Sequence, residues 1–309
     1  MRNAFCAAMV ALADREPYVF LTGDLGFMAL EPLVEKLGSH FLNAGISEQN
    51  MISMAAGMSA VGLKSWAYSI APFCYARPFE QIRNDVCLNL LPVRLVANGG
   101  GYAYGPMGAT HHAIEDYGVL LTLIGMRVYL PAFDADIAPM VALMSARAEP
   151  SYLRLGRSEW DREQSLPDYQ DWRCLQKGDA GVVLAAGPIV GSLLRVTADR
   201  PMAQRPTVWL LSEVLAGSPL TFPPAFLADL AAAPALALVE EHVANGGVGQ
   251  IVLHGLTLQG IGLPPVVHAH AQGYPSRRYG SQGFHRRESG LDVTAVLTQL
   301  GAAAGATLA

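Results

Sequence analysis

The chain of 309 residues is 51% hydrophobic and 15% charged, a balance that describes folded domains with large buried surfaces and excludes a disordered polypeptide; its length favours about two domains. A net charge of −5 leaves no electrostatic footprint for nucleic acid or an anionic membrane, and the pairs Arg277-Arg278 and Arg286-Arg287 are too short to change that. The four cysteines, Cys6, Cys74, Cys87 and Cys174, include no Cys-x-x-Cys pair, so neither a zinc site nor a disulfide framework is expected, and a reducing cytoplasm fits.

In chain order, the apolar run Asn3–Ala13 passes directly into Asp14-Arg15-Glu16, which predicts a first amphipathic helix in preference to a signal peptide. The spacing then predicts a strand over Val19–Leu21, helices over Gln49–Val61 and Pro78–Leu88, and strands over Val93–Ala97 and Val128–Leu130. A helix over Ile137–Ala146 and a strand over Tyr152–Leu155 follow. The polar segment Ser158–Asp179, carrying Asp161, Arg162, Glu163, Gln164 and Asp171, reads as a boundary between two blocks. Beyond it come strands over Val182–Ala186, Thr207–Leu211, Ala235–Val239 and Val266–Ala269, a helix over Gly247–His254, and an Ala-rich tail after Leu300 expected to fray. Strands alternating with helices predict an α/β fold with two mostly parallel sheet domains, divided as 1–170 and 175–309. No repeat is visible, and no apolar stretch reaches the roughly 20 residues needed to cross a bilayer.

The segment Asn43-Ala44-Gly45-Ile46-Ser47-Glu48-Gln49-Asn50-Met51 places one carboxylate, Glu48, where a turn enters a helix. Met51, Met54, Ala55 and Met58 recur at helical spacing, so this helix is expected to be buried. A helix N-terminus favours a carboxylate by about 0.3–1 kcal/mol, whereas dry burial can raise a carboxyl pKa by about 3–5; burial wins if the pocket is dry. The competing reading is a capping arrangement with Ser47, but Asn50 stands where a capping box would have Glu.

Gly45–Asn50, together with Arg77-Pro78-Phe79-Glu80-Gln81-Ile82-Arg83-Asn84-Asp85, resembles the pyrimidine-binding domain of the transketolase and 1-deoxyxylulose-5-phosphate synthase family. Thr22-Gly23-Asp24-Leu25, Gly105-Pro106-Met107-Gly108-Ala109-Thr110-His111-His112 and Pro150–Arg157 extend the resemblance in the right order, and it covers essentially the whole chain. It implies thiamine diphosphate as cofactor, a pyrimidine-binding domain followed by a transketolase C-terminal-like domain, and a glutamate, here Glu48, hydrogen-bonded to N1′ of the aminopyrimidine. An apolar setting free of a permanent salt bridge would suit that proton-sharing role. The resemblance also puts Asp24, Arg77 and an aromatic wall at the cofactor: Phe73, with Tyr75 open as the alternative. His111 matches the residue beside the reacting carbons, while Arg157, and with it Arg2 and Arg154, fall where relatives bind a sugar phosphate. His112 and His268-Ala269-His270 read as structural, and no metal site is expected within this chain.

The departures are specific. Met28 replaces a serine, Met107 the hydroxyl-reading aspartate, and Gly99 a phosphate-facing histidine, so the substrate-binding positions lose polar partners and the acceptor is expected not to be an ordinary pentose phosphate. The Gly-Asp-Gly motif that holds the diphosphate is missing; Gly23-Asp24-Leu25 is not that motif. The resemblance therefore implies the C-terminal subunit of a split transketolase, with Mg²⁺ or Ca²⁺ held mainly by an N-terminal partner subunit in an α₂β₂ assembly. The rival readings are the β subunit of a 2-oxoacid dehydrogenase, a deoxyxylulose-phosphate synthase-like carboligase, and a non-catalytic scaffold subunit.

Overall fold

The computed structural model describes residues 1–160 and 166–305. Asp161, Arg162, Glu163 and Gln164 of the polar segment, and the last four residues of the tail, lie outside the described residues. The strands are β1 (Val19–Thr22), β2 (Phe41–Asn43), β3 (Ser65–Ile70), β4 (Arg94–Asn98), β5 (Arg127–Tyr129), β6 (Ser151–Leu155), β7 (Trp172–Gln176), β8 (Val182–Ala186), β9 (Thr207–Leu211), β10 (Glu213–Leu215), β11 (Leu236–Glu240) and β12 (Val266–Ala269). They form a seven-stranded sheet in the order β10-β5-β6-β4-β3-β1-β2 and a five-stranded sheet in the order β12-β11-β8-β9-β7. All pairings are parallel except β10 with β5 and β7 with β9, at one edge of each sheet. The α/β class with two mostly parallel sheets is therefore as the sequence predicts.

Period-two side-chain alternation buries both faces of the first sheet. Phe20, Trp66, Tyr68, Val96 and Leu153 pack on one side against the first helix, Arg2–Ala13, through Phe5, Met9 and Leu12. Leu21, Ala67, Leu95, Ala97 and Tyr152 pack on the other against Met51, Ile52, Ala55 and Ala56 of the helix Glu48–Ala60. That second cluster continues into Leu184, Leu211 and Leu236 of the second sheet, so one apolar core runs through both blocks.

One expectation needs correction, and the structure adds detail to two others. The segment read as a boundary contains β7, which pairs antiparallel with β9 and places Trp172 against Phe222 and Phe226. Pro78–Leu88 is not one α-helix: a single turn, Phe79–Gln81, opens into a π-helical stretch, Ile82–Cys87. Residues 301–303, at the start of the Ala-rich tail, belong to the helix Val293–Ala303, whose first turn is capped by Asp292 accepting from Ala295 N at 3.1 Å.

Candidate active site

The carboxyl ends of β1, β3, β4 and β6 lie side by side, with Thr22 beside Tyr68, Ile70 beside Asn98 and Asn98 beside Leu155. Ligands of parallel α/β sheets collect at such ends, and the loops that leave them carry the candidate residues. After β2, Ala44 N donates to Thr22 O at 2.8 Å, and Gly45, at φ +73°, turns the chain into the helix Glu48–Ala60. Glu48 is the first residue of that helix. Ser47 does not cap it through its side chain; its hydroxyl donates to Ala44 O at 2.6 Å.

The Glu48 side chain is 7% exposed, and its Oε1 accepts from Arg77 Nη1 at 2.9 Å. Among the described residues its Oε2 takes no hydrogen bond. The Arg77 guanidinium lies over the Phe73 ring, 3.8 Å from the centroid. Phe73 meets the His111 ring edge-on at 5.3 Å, and His111 meets the Tyr104 ring at 5.7 Å. His111 Nδ1 is paired with Thr110 Oγ1 at 2.9 Å, which leaves Nε2 without a partner among the described residues. Segments far apart in the chain are thus brought into one line of contact. The carboxylate expected to stand unpaired is instead engaged by Arg77, because that arginine leaves the short helix after β3 directly over Phe73.

Other candidates are placed differently. Asp24 is exposed and accepts from Asn43 Nδ2 at 3.2 Å, beside the Glu48 turn. Tyr75 is buried, with its hydroxyl donating to Glu115 at 3.4 Å, so Phe73 and not Tyr75 presents a ring to the site. Cys74, between them, is buried, and burial pushes its thiol up to about 12, which makes it an inert packing group. Arg2 begins the first helix, next to Met1, whose sulfur accepts from Gly156 N at 3.3 Å; exposed Arg157 follows that glycine. Arg154 is not available to a substrate: it is buried, paired with Asp116 at 2.8 Å and donating to Ala113 O and Glu241 O. Met28 is 88% exposed at φ 62° and faces the groove between the first helix and the helix Glu31–Leu37, while Met107 is half-exposed beside the His111 loop. His112 is buried with its nitrogens on Tyr274 OH and Gly105 O.

Residues that sequence reasoning passed over hold the His111 loop in place. Glu241 accepts from Tyr102 N at 2.6 Å and is paired with Arg286, and His242 accepts from Gly118 N at 3.1 Å while stacking on Tyr117. Glu240, 1% exposed, takes the Tyr117 hydroxyl together with Val248 N, Gly249 N and His268 Nε2. The Val239–His242 run was visible in the sequence, but its partners Tyr117 and Gly118 lie 123 and 124 residues away. Tyr104 and Asn98 were also passed over; the signal available was the unusual Gly99.

Residues 1–162 match the transketolase pyrimidine-binding domain, and the chain belongs to that family. It is 33% identical over 159 residues to an apulose-4-phosphate transketolase subunit of Phocaeicola vulgatus, covering 51% of each chain. With the subunit of the same description from Actinobacillus succinogenes it shares 28% identity over 72% of each. A 1-deoxy-D-xylulose-5-phosphate synthase of Magnetococcus marinus is 28% identical over 96% of this chain and 48% of its own length. The match thus spans about half the length of the Phocaeicola and Magnetococcus proteins. Among solved structures, a split-gene transketolase described as an inactive beta4 tetramer superposes with a TM-score of 0.82 at 27% identity, covering 98% of both chains. The resemblance to the C-terminal subunit of a split transketolase is borne out, and the family implies thiamine diphosphate. The residues present fit that group's aminopyrimidine: a flat cation with N–H donors already lies on Phe73 and hydrogen-bonds Glu48. No described helix is long and apolar enough to cross a membrane.

Proposed function

We propose that this chain is the pyrimidine-domain, C-terminal subunit of a split thiamine diphosphate-dependent transketolase. It transfers a two-carbon ketol unit from a ketose donor to an aldehyde acceptor other than an ordinary pentose phosphate. Residues 1–170 form the pyrimidine-binding domain and 175–309 the C-terminal domain. The chain acts with a separate N-terminal subunit, in a cytoplasmic α₂β₂ assembly, and that partner holds the diphosphate and Mg²⁺ or Ca²⁺. The observation that carries this reading is the buried Glu48 carboxylate, with one oxygen on a flat cation stacked on Phe73 and the other without a partner among the described residues.

Thiamine diphosphate, when bound, supplies a stabilised carbanion at its thiazolium C2. Glu48 would hydrogen-bond N1′ of the aminopyrimidine and hold a proton there. Phe73 gives the ring a face to lie on. Arg77 belongs to the same subsite as a placeholder: its guanidinium gives Glu48 the hydrogen bond that a ring N–H would give, and it would yield that position when the cofactor binds. Asp24 lies at the edge of this subsite. His111, oriented through Nδ1 by Thr110, offers Nε2 to a substrate carbonyl or developing alkoxide. Arg157 and Arg2 receive an anionic group at the far end of the substrate, and Met28 and Met107 present thioethers where a hydroxyl would otherwise find a partner.

Similarity to 1-deoxy-D-xylulose-5-phosphate synthase along 96% of the chain favours one second reading, carboligation coupled to decarboxylation. The test supplies the pair, reconstituted with its N-terminal subunit, with a ketose donor and an aldehyde. Ketol transfer without CO₂ is expected. CO₂ released from a 2-oxoacid would favour the second reading, and no turnover of any donor would favour a scaffold subunit.

A further inference from the structure

The loop that carries His111 is built on Gly108, which at φ +74° and ψ −163° breaks the helical turns of Gly105–Thr110. Its carbonyl accepts from both His111 N and His112 N, at 2.9 and 3.1 Å, so the Gly108 backbone sets where His111 leaves the chain. The His111 ring is then flanked by Phe73 and by Tyr104, which fills the space over Gly99: a Cβ there, at φ +89°, would fall 2.0 Å from Tyr104 Cε2. A glycine has more backbone freedom to lose than any other residue. Something must therefore hold Gly108 in this conformation.

That role falls to the other block of the chain. The Tyr279 ring lies directly on Gly108, where a Cβ would fall 2.8 Å from both Cδ2 and Cε2. The backbone of Gly280 and Gln282 lies in the same way on Gly105, 3.2 Å from where its Cβ would be. The segment is anchored behind these contacts. Tyr274 meets the Tyr279 ring edge-on at 5.4 Å and stacks on His112, pairing with its Nδ1 at 3.0 Å. His285, 1% exposed, stacks on Tyr102 at 5.0 Å and accepts from Gly280 N at 3.2 Å, and Arg286 next to it is paired with Glu241. Tyr279 itself is 55% exposed, and its hydroxyl takes no hydrogen bond among the described residues. Its ring thus packs on the loop, not in a core.

We propose that Tyr279 is a positioning residue of the active site: by lying on Gly108 it holds Gly105–Thr110 in the conformation that presents His111 to the substrate. The second block then takes part in the reaction without touching a reacting atom, because a catalytic group is effective only when held close to its productive geometry. This rests on the transketolase reading for the role of His111, but the positioning itself can be measured without turnover.

The experiment compares wild type with Tyr279→Phe and Tyr279→Ala. In the full chain, NMR cross-peaks between the His111 and Phe73 rings, which stand 5.3 Å apart, report where His111 is held. They should persist in Tyr279→Phe, which keeps a ring over Gly108, and weaken in Tyr279→Ala. In the pair reconstituted with its N-terminal subunit, Tyr279→Ala should lower kcat by about 10-fold to 100-fold, the scale of a misplacement of about 1 Å. Tyr279→Phe should keep the wild-type kcat. Affinity for thiamine diphosphate should be the same in all three, because Glu48, Phe73 and Arg77 are untouched. Combined with His111→Ala, Tyr279→Ala should lower kcat no further than His111→Ala alone, a non-additivity that general loosening would not produce. Should Tyr279→Ala fail to fold, Tyr279→Leu carries the same comparison. Unmoved cross-peaks in Tyr279→Ala, or the full loss of kcat repeated in the His111→Ala background, would overturn the proposal. Weakened cross-peaks with no ketol transfer by the wild-type pair would leave it standing and remove the transketolase reading, whereas ketol transfer indifferent to Tyr279→Ala would do the reverse.

Discussion

Arg77 makes a prediction whose sign separates two roles. In the structure its guanidinium makes two interactions in the proposed cofactor subsite: the ion pair with Glu48 at 2.9 Å and the face of Phe73 at 3.8 Å. The Arg77 side chain is 47% exposed, so solvent screens the pair and its worth is about 0.2–1 kcal/mol; a cation on an accessible ring adds about 0.5–1 kcal/mol. An aminopyrimidine that takes this place must displace about 0.7–2 kcal/mol of existing contacts. Arg77→Ala removes that cost, and at about 1.36 kcal/mol per tenfold the affinity of the reconstituted pair for thiamine diphosphate should tighten by roughly 3-fold to 30-fold. Calorimetric titration at fixed Mg²⁺ measures it directly. Affinity weakened about fivefold or more would refute the placeholder argument and show that Arg77 holds the cofactor once bound.

Two further predictions concern the scaffold. Burial works to raise the Glu240 carboxyl, but the hydrogen bonds from His268, Tyr117 and Gly249 N outweigh it and hold the group below its ordinary 4.5. A carboxyl depressed on folding contributes stability that is fully present above the unfolded pKa and is lost as pH falls through the folded one. Glu240→Gln should therefore cost about 3 kcal/mol near neutral pH, and the gap between the two denaturation midpoints should narrow as the pH drops below about 4.5; a gap that widens on acidification would count against it. Gly99→Ala should destabilise by at least about 1–3 kcal/mol through its left-handed backbone alone, with Tyr104 forced off His111; an unchanged melting temperature would show that the ring does not fill that space.

The fold class and the Glu48 turn were legible because both are local: strands and helices alternate, and Gly45-Ile46-Ser47-Glu48 is contiguous. β3 escaped the pattern because Ser65, Ala67 and Ser69 interrupt its apolar run, although Ser65 and Ser69 are fully buried. β7 hid in a polar stretch because its Arg173 is buried only through an ion pair with the distant Asp136 at 2.7 Å, and β10 has three residues and is defined by pairing with β5. The site was legible as separate motifs. That Arg77 lies on Phe73 and bonds Glu48, that Tyr104 fills the space over Gly99, and that Glu241 and His242 clamp the His111 loop all depend on contacts between distant segments. Periodicity carries no record of these. Arg154 illustrates the converse: a motif position suited to phosphate binding is consumed by Asp116 and two backbone carbonyls.

Glu48 is proposed as a proton-handling group at a cofactor shared with a partner subunit. Glu48→Gln keeps the shape and a hydrogen-bonding atom but cannot accept and return a proton, so kcat of the reconstituted pair should fall by about 10²–10⁴ while thiamine diphosphate still binds. Undiminished turnover in Glu48→Gln, with cofactor bound, would contradict the account.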